Sequence, residues 1–210
     1  MQDDKIFGRN PVLEAIKSGR EIDKIMIKKG GIEGSLNAII KKAKQAGIIV
    51  TEVDKQKLDA ICEGENHQGV VAYAAMHEYA TVSDILNSAK AKGQQPFIII
   101  WDKITDPHNL GSIIRTANAA GAHGVIIPKH ESAGLNATVA KVSAGGVEFT
   151  PVARVNNLAS VIEKLKKEGF WITGAAMGGD KSLFEADLDG SVAIVNGSEG
   201  NGISRGVLEK

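Results

Sequence analysis

Cysteine is nearly absent from this chain. The single thiol, Cys62, excludes an intramolecular disulfide and fits a reducing, cytoplasmic setting. Long apolar runs are missing as well. The longest strongly apolar stretch, Phe97 to Trp101, is far too short to span a bilayer, and the opening MQDDKIFGRN has no apolar core of signal-peptide length. Neither sign of charge predominates: Lys plus Arg and Asp plus Glu both total 25, and residues 1–79 carry 12 of each. The basic excess that marks nonspecific nucleic-acid binding is therefore lacking. His67, His77, His123 and His130 are scattered, with no HxxxH or CxxC spacing, so no metal site is expected. No GK[ST] follows a glycine-rich loop, and Ser143 has no GxSxG setting, which argues against a P-loop and against a hydrolase.

What is present is a regular alternation of strand and helix patterns. In the first 76 residues, Asn10-Pro11 opens a helix that Gly19 closes, and IDKIMIKK reads as a strand. A helix over 35–46, a strand at GIIVTEV, a helix capped by Asp54 and running to about Cys62, and a strand at GVVAYAA follow. Cys62 is expected to be a small core residue, and Lys41, Lys42 and Lys44 a solvated helix face. The linker is placed near 77–82, with a helix after it. A second unit opens with the apolar strand FIIIWD and a helix over 108–120, then a strand at GVIIP and a helix near 136–144. A short strand at TPVARV, a helix over 157–168, and strands at FWITGAAM and SVAIVN complete it. Trp101 and Trp171, in apolar strands, are expected in the core. Continuous apolar strands between amphipathic helices predict an α/β fold with a parallel sheet covered on both faces. Ligands of such sheets bind beyond the carboxyl ends of the strands, which selects the loops 102–111, 176–183 and 196–202.

The first of these loops runs into DPHNLGSIIRTANAAG, where five awkward residues precede a smooth helix pattern. At about 100° per residue, Leu110, Ile113, Ile114 and Ala117 share one face, with Ser112, Arg115 and Ala119 opposite. Arg115 follows Asn109 by roughly 9 Å of helix rise, at about 1.5 Å per residue, and helix side chains lean toward the N-terminus. On spacing alone Arg115 is either a solvated surface arginine or an anion clamp at a helix N-terminus. The third loop, VNGSEGNGIS, has glycines at alternating positions that let a backbone approach a flat ligand. It is not GxGxxG, and Glu199 within it can equally complement the dipole of the next helix. His108 reads as a capping or surface histidine more readily than as a catalytic one.

NLGSIIRTANAAGAHGVIIP with IVNGSEGNGIS resembles the first two motifs of the SpoU (TrmH) family of RNA ribose 2′-O-methyltransferases, and KVSAGGVEFTPVARVNNL resembles the segment joining them. FGRNPVLEAIKSG and NHQGVVA are similar to the ribosomal-protein-L30e-like substrate domain found in members that modify a guanosine of large-subunit ribosomal RNA. The resemblance implies an L30e-like RNA-binding domain over 1–76, a linker and leading helix over 77–95, and a methyltransferase domain of the α/β-knot (SPOUT) type over 96–210. It implies S-adenosylmethionine as methyl donor and a homodimer with active sites at the subunit interface. Asn109, Arg115 and Glu199 are implied as catalytic, and Asn196, Gly197, Ala175 and Met177 as cofactor-binding. A transfer-RNA substrate, and a noncatalytic RNA-binding module, stand as alternatives; Asn109, Arg115 and Glu199 together favour the enzyme. The family's third motif, which completes the knot, does not occur in these 210 residues. The expectation is therefore a C-terminally incomplete knot, an inactive form of the enzyme, and a poorly supported loop at 196–202.

Overall fold

The computed structural model describes residues 5–30, 34–179 and 181–210. The chain divides into two compact units, one reaching to Glu78 and including Gly134–Ala137, the other comprising Tyr79–Ala133 and Thr138–Lys210.

The first unit is built on a four-stranded mixed sheet. Its strands are β1 (Lys5–Phe7), β2 (Ile22–Lys28), β3 (Ile49–Val53) and β4 (Val70–Ala74), in the order β1-β4-β2-β3. β2 runs parallel to β3, and β4 is antiparallel to both of its neighbours. The period-two rule of strands sorts the apolar residues to two faces. Ile25, Ile27, Val70 and Ala72 pack with α1 (Arg9–Lys17) and α2 (Ser35–Gln45), while Met26 and Val71 pack with Leu58 and Cys62 of α3 (Lys55–Cys62). Each fully buried Ile or Leu here contributes about 1.5–3 kcal/mol of transfer free energy. Cys62 is the core residue expected, and burial pushes its thiol pKa up. Lys41, Lys42 and Lys44 lie exposed on α2, as read. Two details depart from the pattern reading. β1 is an extra strand of only three residues, too short to register as a period, and Asp54 occupies the N-cap of α3 without a side-chain capping bond.

The second unit has a five-stranded sheet in which every pair is parallel, in the order β7-β6-β5-β9-β8. The strands are β5 (Phe97–Trp101), β6 (Gly124–Pro128), β7 (Val152–Val155), β8 (Trp171–Ala175) and β9 (Val192–Asn196). Thr81 and Asp84 form a reciprocal capping box at the start of α4 (Val82–Ala91). The Asn157 side chain accepts from Ser160 N at 2.9 Å to start α8 (Leu158–Lys167). Ile85 of α4 and Ile162 and Leu165 of α8 pack on Ile98, Ile100, Ile126 and Val195. The helix expected near 136–144 is α6 (Ala137–Val142), followed by a separate short α7 (Gly146–Phe149). The expectation of full cover is met only in part on one face of β5, where Phe97, Ile99 and Trp101 are half-buried, and it fails at one edge. β8 has a neighbour on one side only, and Trp171, read as a core residue, is 69% exposed. An edge strand carries the same apolar composition as a central one but has nothing packed beyond it. Among the described residues, no helix is long and apolar enough to cross a membrane.

The order of the strands creates one distinctive crevice. From β5 the chain moves outward to β6 and β7, then returns to the other side, where β9 inserts between β5 and β8. The carboxyl ends of β5 and β9 therefore flank the point where the winding reverses, the place where open parallel sheets accept ligands.

Candidate active site

The awkward opening of α5 (Pro107–Ala119) resolves into separate duties. Asp106 is the N-cap, and its carboxylate accepts from His108 N at 2.8 Å. Pro107 takes the first helical position, where a missing N–H costs no hydrogen bond. Gly111 lies against α6: a Cβ there would sit 2.7 Å from Val142 Cβ. Leu110, Ile114 and Ala117 are buried, Ile113 is half-buried, and Arg115 is exposed on the opposite side, as the helical spacing predicts. The His108 ring makes no hydrogen bond among the described residues.

Asn109, in the first turn of α5, donates from Nδ2 to Glu199 Oε2 at 3.3 Å. The two residues are 90 positions apart, and they meet because β9 lies beside β5. Both line a cavity of about 540 Å³ between loop 102–111 and loop 196–202, together with Trp101, Lys103, Ser112 and Ser198. The N-terminus of α5 adds its positive dipole end to this cavity. Trp101 is half-buried in its wall and thus only partly a core residue.

The loop after β9 is better supported than expected. Ser198 N donates to Gly202 O at 3.0 Å and Gly202 N to Ser198 O at 2.9 Å, closing the loop on itself. Gly197 is required by that closure, because a Cβ there would lie 1.8 Å from the Gly202 carbonyl carbon. The space beside Gly197 is thus filled by the loop's own backbone, whereas the space beside Gly200 is open. Asn196 ends β9 in register with Trp101 and Ala175, and its carbonyl accepts from Asp102 N at 2.8 Å.

Of the residues singled out from the sequence, Asn109 and Glu199 are brought together, and Asn196 and Gly197 form the base of their loop. Ala175 and Met177 lie one strand outward; both are exposed and outside this cavity. Arg115 is also outside it and has no hydrogen bond or ion pair among the described residues. Asp102 was not anticipated. It is 5% exposed, and its Oδ2 accepts from Ser204 N at 2.7 Å, tying the first loop to the exit of the third. An acidic residue at the end of a wholly apolar strand was the available signal. Ser198 was missed too: its Oγ is buried with no hydrogen-bond partner among the described residues. Buried orphan hydroxyls are rare enough to need an explanation, and a bound ligand is one.

His123 has a structural role. Its Nδ1 accepts from Phe97 N at 3.0 Å, its Nε2 pairs with Gln94 Oε1 at 3.0 Å, and burial with the nearby Lys92 charge lowers its pKa. Ser143 is buried just past the end of α6 and donates from Oγ to Ala140 O at 2.9 Å, a local bond to that helix. Among the described residues, no group of three His, Cys, Asp or Glu side chains is placed to hold a metal ion.

Comparison with known proteins adds family and fold. The profile of the SpoU rRNA Methylase family matches residues 96–210, and that described as RNA 2′-O ribose methyltransferase substrate binding matches residues 5–80. A Bacillus subtilis protein named as the TrmH family tRNA/rRNA methyltransferase YacO is 44% identical over 209 residues, covering 100% of this chain and 84% of its own. A Staphylococcus aureus protein of the same family name is 47% identical over 210 residues, with the same coverage of 100% and 84%. Among solved structures, an rRNA methyltransferase from Sinorhizobium meliloti aligns with a TM-score of 0.54 and 24% identity, over 98% of this chain and 74% of that one. The SpoU methyltransferase AviRb from Streptomyces viridochromogenes, solved with AdoMet, aligns with a TM-score of 0.55 and 21% identity, over 98% and 77%. These two likenesses concern the fold, which is that of the SPOUT class.

Proposed function

The chain belongs to the SpoU rRNA methylase family, and on that premise we propose that it methylates a ribose 2′-hydroxyl of ribosomal RNA with S-adenosylmethionine as donor. The observation that carries this reading is the Asn109–Glu199 pair at the winding reversal of an all-parallel sheet. The residues around it fit the donor. Ser198 offers a buried hydroxyl without a partner among the described residues, and the cavity of about 540 Å³ falls in the usual range for small-molecule sites. Asn196, Gly197 and Ser198 would hold the donor; Ala175, at the end of β8, and Met177, just beyond it, lie outside the cavity. S-adenosylmethionine supplies a methyl group already activated on a sulfonium, so the protein's work is positioning and hydroxyl activation.

That work divides among three side chains. Glu199 accepts from the Asn109 amide nitrogen and fixes its orientation, leaving the amide oxygen to accept from a ribose hydroxyl. Arg115, with a side-chain pKa above 12 in ordinary surroundings, is a poor base. It serves as a charge instead: bound to the phosphate of the target nucleotide, it stabilises the oxyanion that develops as the 2′-hydroxyl proton leaves to water. Its guanidinium, exposed on α5 and without a partner among the described residues, is suited to meet RNA or a second subunit, and we assign the active form as a homodimer formed through residues 96–210. Residues 1–76 are the RNA-binding unit, joined through 77–95.

Single-turnover methylation of ribosomal RNA, with calorimetric titration of S-adenosylmethionine, tests the reading. Methyl transfer lost in Glu199→Ala and Arg115→Ala, with the donor still bound by the arginine variant, supports it. A protein that binds RNA and no donor is a noncatalytic module. Transfer RNA is the second reading, because the relatives' names include it; methylation of transfer RNA alone would decide for it.

A further inference from the structure

The first unit contains a cavity of about 660 Å³ that plays no part in the site above. It is lined by Arg9, Lys28 and Lys55 together with Asp59, Glu65 and Asn66. We propose that this cavity takes one unpaired nucleotide of the RNA substrate, its phosphate held by Arg9, Lys28 and Lys55 and its base read by the carboxylates and the Asn66 amide. The proposal rests on the reading of RNA as substrate and specifies how the first unit recognises it.

The cavity is a built feature. Arg9 N donates to Gln68 Oε1 at 3.1 Å, Arg9 Nε to Gln68 O at 3.0 Å, and Arg9 Nη1 to Ser35 Oγ at 3.3 Å. These bonds join the start of α1 to the loop before β4 and fix the guanidinium plane. Gln68 is held at φ +47°, an uncommon conformation for a residue with a side chain. Beneath it His67 is buried, with a side chain 10% exposed; its Nδ1 accepts from Gly69 N at 2.8 Å, so its ring proton lies on Nε2 and is donated to Asp59 Oδ1 at 2.8 Å. His67 thereby positions Asp59 at the cavity wall. Lys28 and Lys55 are exposed and have no ion-pair partner among the described residues.

The charge pattern selects a single nucleotide over a duplex. A helix presents a ladder of phosphates, and a surface that follows it is a continuous basic stripe. Here two carboxylates stand among three cations, and residues 1–79 carry equal numbers of acidic and basic side chains. Carboxylates repel phosphates but accept from the amino groups on base edges. Such edges are open in unpaired RNA and covered in A-form helices, whose major groove is too narrow for side chains. The volume lies within the range of pockets that enclose small ligands.

The test uses the full chain with in vitro-transcribed ribosomal RNA and transfer RNA containing 4-thiouridine. Filter binding across a salt series and ultraviolet crosslinking are applied to the wild type, to Arg9→Lys, and to the double variant Lys28→Ala with Lys55→Ala. For the double variant we expect at least tenfold weaker RNA binding and a slope of log K against log salt smaller by about 1.4, from about 0.7 per contact on a single strand. Arg9→Lys keeps the charge and loses the fork, and is expected to weaken binding severalfold. Crosslinks to residues 65–69 should map to unpaired nucleotides and fade in the double variant. Unchanged affinity and slope, crosslinks confined to base-paired nucleotides, or no RNA binding by the wild type would each overturn the proposal. S-adenosylmethionine affinity and methyl transfer are measured in parallel. Their absence beside intact crosslinks would refute the proposed activity and leave the cavity's assignment standing.

Discussion

Replacing Gly197 with alanine puts one methyl group where the loop after β9 has no room. The added Cβ would lie 1.8 Å from the Gly202 carbonyl carbon and 2.1 Å from Ile203 N, where ordinary contact begins at 3.4 Å. Both obstacles are backbone, so no rotamer change relieves them. The loop must open, and opening breaks the reciprocal hydrogen bonds between Ser198 and Gly202. At a net value of about 1 kcal/mol for each hydrogen bond, the closed loop loses about 2 kcal/mol. If S-adenosylmethionine binds the closed loop, its affinity falls about 30-fold, at about 1.4 kcal/mol per factor of ten. Global stability should change little, because the affected segment is a half-buried to exposed loop at the sheet's end. Gly200→Ala is the control: nothing lies within 4 Å of its added Cβ. Isothermal titration with S-adenosylmethionine, alongside thermal unfolding, reads both quantities. Wild-type affinity in Gly197→Ala, or an equal loss in Gly200→Ala, would refute the argument that this closure shapes the donor site.

Arg115→Ala should abolish single-turnover methyl transfer while S-adenosylmethionine affinity stays within a few-fold, since the arginine lies outside the cavity that holds Asn109 and Glu199; near-normal turnover contradicts its role. His123 sets a pH dependence of stability. Its folded pKa is lowered by burial and by Lys92, so between that value and the ordinary value of about 6.5 the unfolded chain binds more protons. Its contribution is complete above about pH 6.5 and is lost as pH falls through that window. Urea unfolding from pH 7.5 to 5 should show the slope, and His123→Gln should reduce it. Light scattering at micromolar concentration should report about twice the 22.1 kDa chain mass; a monomer that retains activity would remove the homodimer from the account.

Much of the fold was legible because its strands obey simple periods. IMI in β2 sends Ile25 and Ile27 to one face and Met26 to the other, and FIIIW and VAIVN read as strands, although Phe97, Ile99, Trp101 and Ile194 on them prove only half-buried. Strand order was not legible, since periodicity records which faces are buried and says nothing about neighbours. That gap explains both Trp171, whose strand proves to be an edge, and the meeting of Asn109 with Glu199, which depends on β9 inserting beside β5. Apolar composition also could not show that Gly197 makes room for its own loop, or that Asp102 is tied to Ser204, because both depend on backbone placed far along the chain. The role given to Arg115 came from family resemblance; helical spacing established only that it faces away from the sheet.

The reaction proposed for the site that Asn109 and Glu199 share is transfer of a methyl group to a ribose 2′-hydroxyl of ribosomal RNA. Incubation of unmodified ribosomal RNA with the protein and S-adenosylmethionine labelled in the methyl group, followed by nucleoside digestion and mass spectrometry, tests it directly. Label is expected in a single 2′-O-methylated nucleoside and is lost with Glu199→Ala. Label on a base, or label that persists undiminished in that variant, would contradict it.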